Sequence, residues 1–195
     1  MGGVAPGFSI LDLVPDDEAA IGQAARLLVE GFKDDWPGAW PTEAEALEEM
    51  REALGGDRIC RVARGEDGTI LGWIGSIPGY EGKVWELHPL VVRSDVRRMG
   101  IGRALVSDLE DRVRERGALT LWLGTDDVTN MTTLSGVDLY PDVLGHLAYL
   151  RNLRRHPYEF YSKLGFSLIG AMPDANGWGK PDIYMAKSCR QYRVR

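Results

Sequence analysis

Residues able to move protons and residues able to hold an anion lie next to each other in one stretch of this 195-residue chain. Val84 to Val92 reads as a strand. In a regular strand side chains two apart share a face, so Glu86, His88, Leu90 and Val92 are expected on one side, where a carboxylate and an imidazole converge. A glutamate on a face that buries Leu90 and Val92 is costly unless it is bonded or left wet for a purpose. That makes Glu86 a candidate general base, with a rim ion pair as the plain alternative. Pro89 cannot donate to a ladder and marks a bulge or an edge.

The strand continues through Val91-Val92-Arg93 into Arg97-Arg98-Met99-Gly100-Ile101-Gly102-Arg103, a glycine-bearing turn that opens a helix. Unpaired N–H groups at a helix start, with the helix dipole, attract phosphate, and glycines let it approach without a Cβ in the way. Arg97, Arg98 and Arg103 add charge. A dinucleotide fingerprint would need a third glycine where Leu105 stands, and a P-loop would need Gly-Lys-Ser/Thr. A plain tight turn stays open as an alternative.

Charge is uneven. Asp34 to Glu52 holds seven acidic residues and one arginine, whereas Arg93 to Arg103 holds four arginines and one aspartate. The pattern suits two ligands of opposite sign, or two solvated helix faces. The net charge of −6 weighs against a nucleic-acid partner and favours a cationic one. Cys60 and Cys189 form neither a disulfide scaffold nor a set with metal spacing, so no metal is expected. Met1 to Gly7 lacks the basic and apolar runs of an export signal, no segment is long enough to span a bilayer, and Pro6 breaks the myristoylation pattern begun by Gly2. The expectation is a cytoplasmic protein without membrane attachment, and, with 44% apolar and 27% charged residues, a single domain over 1–195.

The elements that must position these groups follow from patterning. After a Gly/Pro start, Phe8–Leu13 reads as a strand, and Asp16-Asp17-Glu18 opens a helix to about Gly31 with Ile21, Ala24, Ala25 and Leu28 in its stripe. A turn over Trp36 to Pro41 precedes Thr42, which with Glu45 has the capping-box spacing for a second helix ended by Gly55-Gly56. Arg58–Arg64 and Thr69–Ile77 form a hairpin about Gly65 to Gly68. Ile101–Arg116 is an amphipathic helix stopped by Gly117, and Leu119–Leu123 a strand. A polar loop from Gly124 to about Asp138 precedes helical segments over roughly Pro141–Lys163, then strands at Phe166–Ala171 and Ile183–Lys187. The order is mixed α/β on a central sheet.

The turn Arg97-x-x-Gly100-x-Gly102-Arg103 after an apolar strand resembles the pyrophosphate loop of the GNAT acyltransferases, and Phe160-Tyr161-x-x-x-Gly165-Phe166 resembles that family's segment near the coenzyme sulfur. The blocks Trp85 to Val92, Leu123-Gly124-Thr125-Asp126-Asp127, His156 to Phe166 and Asn176 to Lys187 are similar to those of the aminoglycoside 6'-N-acetyltransferases. The resemblance covers most of the chain and weakens before residue 80, where Lys33 to Thr42 has its own length and composition.

The resemblance implies the GNAT fold, with a mixed, mostly antiparallel sheet splayed at the coenzyme and flanked by helices, and acetyl-CoA as the donor. It implies that Glu86 and Tyr161 are the catalytic pair with His88 close by. Leu90, Val91 and Val92 pair with the pantetheine arm, residues 97–103 hold the diphosphate, and Asn152, in the helical stretch upstream of Tyr161, lies near the coenzyme. Tyr161 taken alone could equally be a core aromatic. A polycationic acceptor calls for carboxylates and a flat apolar surface, for which Glu86, Asp126, Asp127 and Trp36 are the candidates. Asp126-Asp127 could instead cap their own loop, and Trp36 could be core. The implied activity is acetyl transfer to the 6'-amino group of an aminoglycoside by direct attack in a ternary complex, by a homodimer. Acetylation of a polyamine, another small amine or a protein N-terminus stays open, as does an acyl-CoA sensor without chemistry.

Overall fold

Five residues that alternate in exposure, Phe8–Asp12, form β1 of the computed structural model, which describes residues 7–190. The Gly/Pro start at 1–6 lies outside the described residues. The chain divides into two compact units, one running to Leu119 and taking in the end from Cys189, the other Thr120–Ser188.

In the first unit β1 is followed by α1 (Glu18–Phe32), α2 (Glu43–Ala53), β2 (Ile59–Gly65), β3 (Ile70–Gly79), β4 (Val84–Val92) and α3 (Ile101–Glu115). Helices α1 and α2 begin where their sequences provide for the open N–H groups. The Asp17 carboxylate accepts from the Ala20 N–H at 3.0 Å to start α1. At α2 the Thr42 hydroxyl accepts from the Glu45 N–H and the Glu45 carboxylate accepts from the Thr42 N–H, which closes the expected capping box. Such a cap stabilises a helix by about 1 kcal/mol.

Strands β1 to β4 pair in sequence order, every pair antiparallel. One face of this sheet packs Val62, Trp73 and Val91 against Ala24, Leu28 and Met50 of α1 and α2, and the Trp73 indole N–H donates to the Ala24 carbonyl at 3.1 Å. The other face carries Arg61, whose guanidinium lies 2.5 Å from Asp12 and 2.6 Å from Asp108 of α3. A buried guanidinium is tolerated because carboxylates hold it on two sides. Both cysteines are buried, and burial pushes the Cys60 thiol up to about 12, which leaves it unreactive.

The register of β4 carries one irregularity, and it matters for the site. Ile74 pairs with Leu90 and Ser76 with Leu87, so His88 and Pro89 together stand opposite Gly75. This is the bulge that Pro89 foretells. It also corrects the expectation that Glu86, His88, Leu90 and Val92 share a face. An extra residue reverses the alternation: His88 meets α2, Val91 joins the α1/α2 core, and Leu90 pairs with Ile74 on the Arg61 side. Trp85 lies under Arg116, just past α3, so Glu86, next to it, faces the α1/α2 side with His88.

The second unit contains β5 (Thr120–Asp126), α4 (Val143–Ala148), α5 (Tyr158–Lys163), β6 (Ser167–Met172) and β7 (Asp182–Ser188), with strand order β5-β7-β6 and both pairings antiparallel. The expected helical stretch from Pro141 to Lys163 is two short helices separated by an irregular segment. There Asn152 forms a bridge with Thr132, and the N–H groups of Leu153 and Arg154 both donate to the Met131 carbonyl. Those bonds replace the helical ones. Asn152 is therefore not helical, contrary to expectation. Among the described residues no helix is long and apolar enough to cross a membrane.

Candidate active site

Glu86 is half-buried, and among the described residues no group donates a hydrogen bond to its carboxylate or forms an ion pair with it. Burial pushes the carboxyl above its usual range, and the charge of His88 pulls it part of the way back. A carboxylate left unpaired and raised in this way is a stronger base than an ordinary one. His88, on the same side of β4 as Glu86, meets α2, where its Nε2 lies 3.9 Å from Glu49 Oε1. The other Glu49 oxygen accepts from the Trp40 indole N–H at 3.4 Å. Trp40 stands edge-on to Phe32, with ring centroids 4.9 Å apart, and 6.0 Å from the His88 ring. Glu49 and Trp40 escaped the sequence reading. A signal existed for Glu49: it lies three residues after Ala46 and one before Met50, on the edge of the buried stripe of α2. Trp36, the aromatic chosen from sequence, is half-buried in the turn after α1, and it is Trp40 that the fold brings to His88.

The anion turn is built in steps. A Cβ on Gly31 would run into Val91, so the end of α1 approaches β4 closely there. The Gly31 carbonyl thereby comes within 3.3 Å of the Arg97 guanidinium, whose Nε also donates to the Val92 carbonyl at 3.2 Å. Arg97 thus ties the turn to α1 and β4. Arg98 takes a φ of 66° and Gly100 one of 91°, and α3 starts at Ile101 with no side chain capping it. A Cβ placed on Gly100 would meet nothing within 4 Å. Arg98 and Arg103 are exposed and, among the described residues, have no hydrogen-bond or ion-pair partner. Ile101 and Val91 bury their side chains in the core and Leu90 packs in the sheet, so these residues, with Val92, Met99 and Gly102, offer a ligand mainly backbone. An uncapped start of a 15-residue helix beside two unpaired guanidinium groups fits a diphosphate.

In the second unit Tyr161 lies in α5 with the rings of Phe160 and Phe166 edge-on to it at 5.1 and 5.7 Å. Its hydroxyl has no hydrogen-bond partner among the described residues, and burial pushes it well above the ordinary phenol range. It stays protonated and able to donate. The Asp126 carboxylate accepts from the Asn176 amide, and the Asp126 carbonyl lies 3.1 Å from His156 Nε2. His156 Nδ1 accepts from the Tyr158 N–H, which leaves the proton on Nε2. Asp127 is fully buried, with one oxygen accepting from Met131 N–H at 2.6 Å and the other from Thr132 N–H at 2.8 Å. It caps its own loop, and the substrate role considered for it falls away. The Asn152 amide is likewise engaged, its oxygen accepting from the His156 N–H at 2.8 Å and its nitrogen donating to the His156 carbonyl at 2.9 Å.

A model of the acetyltransferase (GNAT) family matches residues 25–140. Among solved structures, an aminoglycoside 6'-N-acetyltransferase complexed with coenzyme A is 42% identical with a TM-score of 0.85, over 94% of this chain and 98% of that one. The aminoglycoside 6'-N-acetyltransferase from Enterococcus faecium is 42% identical with a TM-score of 0.83 over the same shares. An aminoglycoside 6'-acetyltransferase type Ii is 36% identical with a TM-score of 0.70, again over 94% and 98%. No curated protein matches the chain. The family model spans more than half of the chain, and the chain belongs to the GNAT acetyltransferase family.

Proposed function

We propose that this protein transfers the acetyl group of acetyl-CoA to the 6'-amino group of an aminoglycoside, with both substrates bound together. The observation that carries the reading is the 42% identity, over nearly the whole of both chains, with an aminoglycoside 6'-N-acetyltransferase holding coenzyme A. The acidic stretch from Asp34 to Glu52 suits a polycationic acceptor. We place the enzyme in the cytoplasm as a homodimer.

The bound thioester supplies an activated acetyl carbon and a thiolate leaving group. Residues 97–103 hold the diphosphate through the open N–H groups of α3 and the charges of Arg98 and Arg103. An ammonium has no lone pair, so Glu86, directly or through a water, takes the proton that frees the amine. The amine nitrogen bonds to the acetyl carbon as the carbon–sulfur bond breaks, Tyr161 gives its proton to the departing sulfur, and the second proton shed by the acylated nitrogen restores the phenol. N–H groups of Leu90 to Val92 are the donors nearest in sequence for the oxyanion. Placement of the two substrates supplies much of the remaining acceleration.

The test is thiol release from acetyl-CoA in the presence of aminoglycosides, polyamines and peptides, with the acetylated nitrogen located by NMR. Turnover with aminoglycosides and acetylation at the 6' nitrogen is the expected result. Turnover only with polyamines or peptides would retain the chemistry and remove the acceptor.

A further inference from the structure

Helix α2 carries five acidic residues, and four of them are exposed. Three of those find partners at the rim: Glu43 pairs with Arg26, Glu45 closes the cap at Thr42, and Glu52 lies 3.6 Å from Arg58. Glu49 differs. Its side chain is 18% exposed, and among the described residues no lysine or arginine pairs with it. A carboxylate turned inward must find its partners there. Glu49 finds the Trp40 indole N–H for one oxygen and the His88 imidazole for the other. The acetyl transfer set out above gives Glu49 no role.

The chain of contacts is ordered from one end to the other. Phe32, at the end of α1, stands edge-on to Trp40 and supports the indole. The indole N–H holds Glu49 Oε2 at 3.4 Å, which leaves Oε1 facing His88 Nε2, 3.9 Å away. His88 needs such a hold. Its side chain is 37% exposed, and the one aromatic ring against it among the described residues, Trp40, is tilted and 6.0 Å away, too loose a contact to fix a rotamer. Among the described residues, the charged groups that act on the imidazole are Glu49 from α2 and Glu86 from its own strand. The turn before α2 offers Trp40, α1 offers Phe32 behind it, and β3 offers Gly75, none of them charged.

We propose, resting on the reading that Glu86 takes the proton from the amine, that Glu49 is a positioning residue which keeps the His88 imidazole beside the Glu86 carboxylate. Glu86 is half-buried and unpaired, and charge on the neighbouring imidazole favours its ionised form. That attraction weakens with distance, so a ring released from Glu49 and turned to solvent leaves Glu86 more readily protonated. The charge of Glu49 acting on Glu86 directly does the reverse, since carboxylates repel each other and removing one makes the other easier to ionise. The two routes have opposite signs.

The experiment measures thiol release with an aminoglycoside across pH for wild type, Glu49→Gln, Trp40→Phe, His88→Asn and the double variant Glu49→Gln/His88→Asn, with thermal unfolding to confirm that each is folded. Glutamine keeps the shape of Glu49 and an oxygen for the indole, and loses the charge that holds the ring. We expect Glu49→Gln to lower kcat about tenfold at neutral pH with KM for acetyl-CoA unchanged, and to move the acid limb of kcat/KM to higher pH. Trp40→Phe, which keeps a ring against Phe32 and deletes the N–H, moves the limb the same way. With His88 already replaced by Asn, Glu49→Gln moves it no further up. A limb that stays or moves down in Glu49→Gln, or that moves up equally in the His88→Asn background, overturns the proposal. Carboxyl-carbon NMR titration of Glu86 in the same variants reads the tether without turnover. A protein that acetylates no aminoglycoside, yet shows the upward shift in Glu49→Gln, loses the acceptor reading alone.

Discussion

Gly75→Ala should damage catalysis although Gly75 touches no substrate. Gly75 faces the bulge of β4, where a Cβ would press on the His88 carbonyl oxygen, with the His88 carbonyl carbon and the edge of Trp73 each at 3.3 Å. None of the three can swing aside: two are backbone, and Trp73 is fully buried with its indole bonded to Ala24. The added methyl must displace the bulge. Overpacking of this kind costs about 1–3 kcal/mol, which lowers the melting temperature of a chain this size by about 2–12 °C. Displacement by about an ångström, two residues from Glu86, reduces turnover by roughly a hundredfold. Gly79→Ala is the control, since that glycine ends the same strand in extended backbone and its nearest neighbour would be the Val84 carbonyl at 3.6 Å, an ordinary contact. Thiol-release kinetics and thermal unfolding of both variants make the comparison. If Gly75→Ala retained wild-type kcat/KM and melted within about a degree of the parent, the coupling of bulge to site would be wrong.

Three further outcomes follow from the same geometry. Asp127→Ala strips two backbone N–H groups of a charged acceptor and should destabilise the protein by about 3 kcal/mol in denaturant titrations; an unchanged midpoint would show that the cap contributes nothing. His88→Asn removes the charge that lowers the Glu86 carboxyl, so that the active, deprotonated form survives over a narrower range and the acid limb of kcat/KM moves to higher pH; a limb that stays or moves down would separate His88 from Glu86. Arg98→Ala with Arg103→Ala should raise KM for acetyl-CoA about tenfold with kcat nearly unchanged, and an unaltered KM would leave diphosphate binding to the backbone alone.

Local patterns were legible because local physics decides them. The Thr42–Glu45 box, the hairpin about Gly65 to Gly68, the limits of β4 and the glycine stop after α3 each depend on neighbours a few residues away. Pro89 announced a bulge, but that the bulge would reverse the faces beyond it became visible only with the β3 register. The segment after α4 read as helical, since its own residues do not reveal that Met131 and Thr133, about twenty positions earlier, take its backbone bonds. The candidate site divides in the same way. Glu86, His88 and the arginine turn stand together in sequence and were found together. Trp40 and Glu49 reach His88 only because α2 packs on the sheet, and Asp127 withdrew from the site because its loop folds back onto both of its oxygens.

The most direct trial of the mechanism is the pH profile of kcat/KM for Glu86→Gln with acetyl-CoA and an aminoglycoside acceptor. A carboxamide keeps the shape and cannot take the proton, so the rate should fall by about a hundredfold or more and the acid limb assigned to Glu86 should vanish. Wild-type rates with the same acid limb would show that the proton leaves the amine by another route.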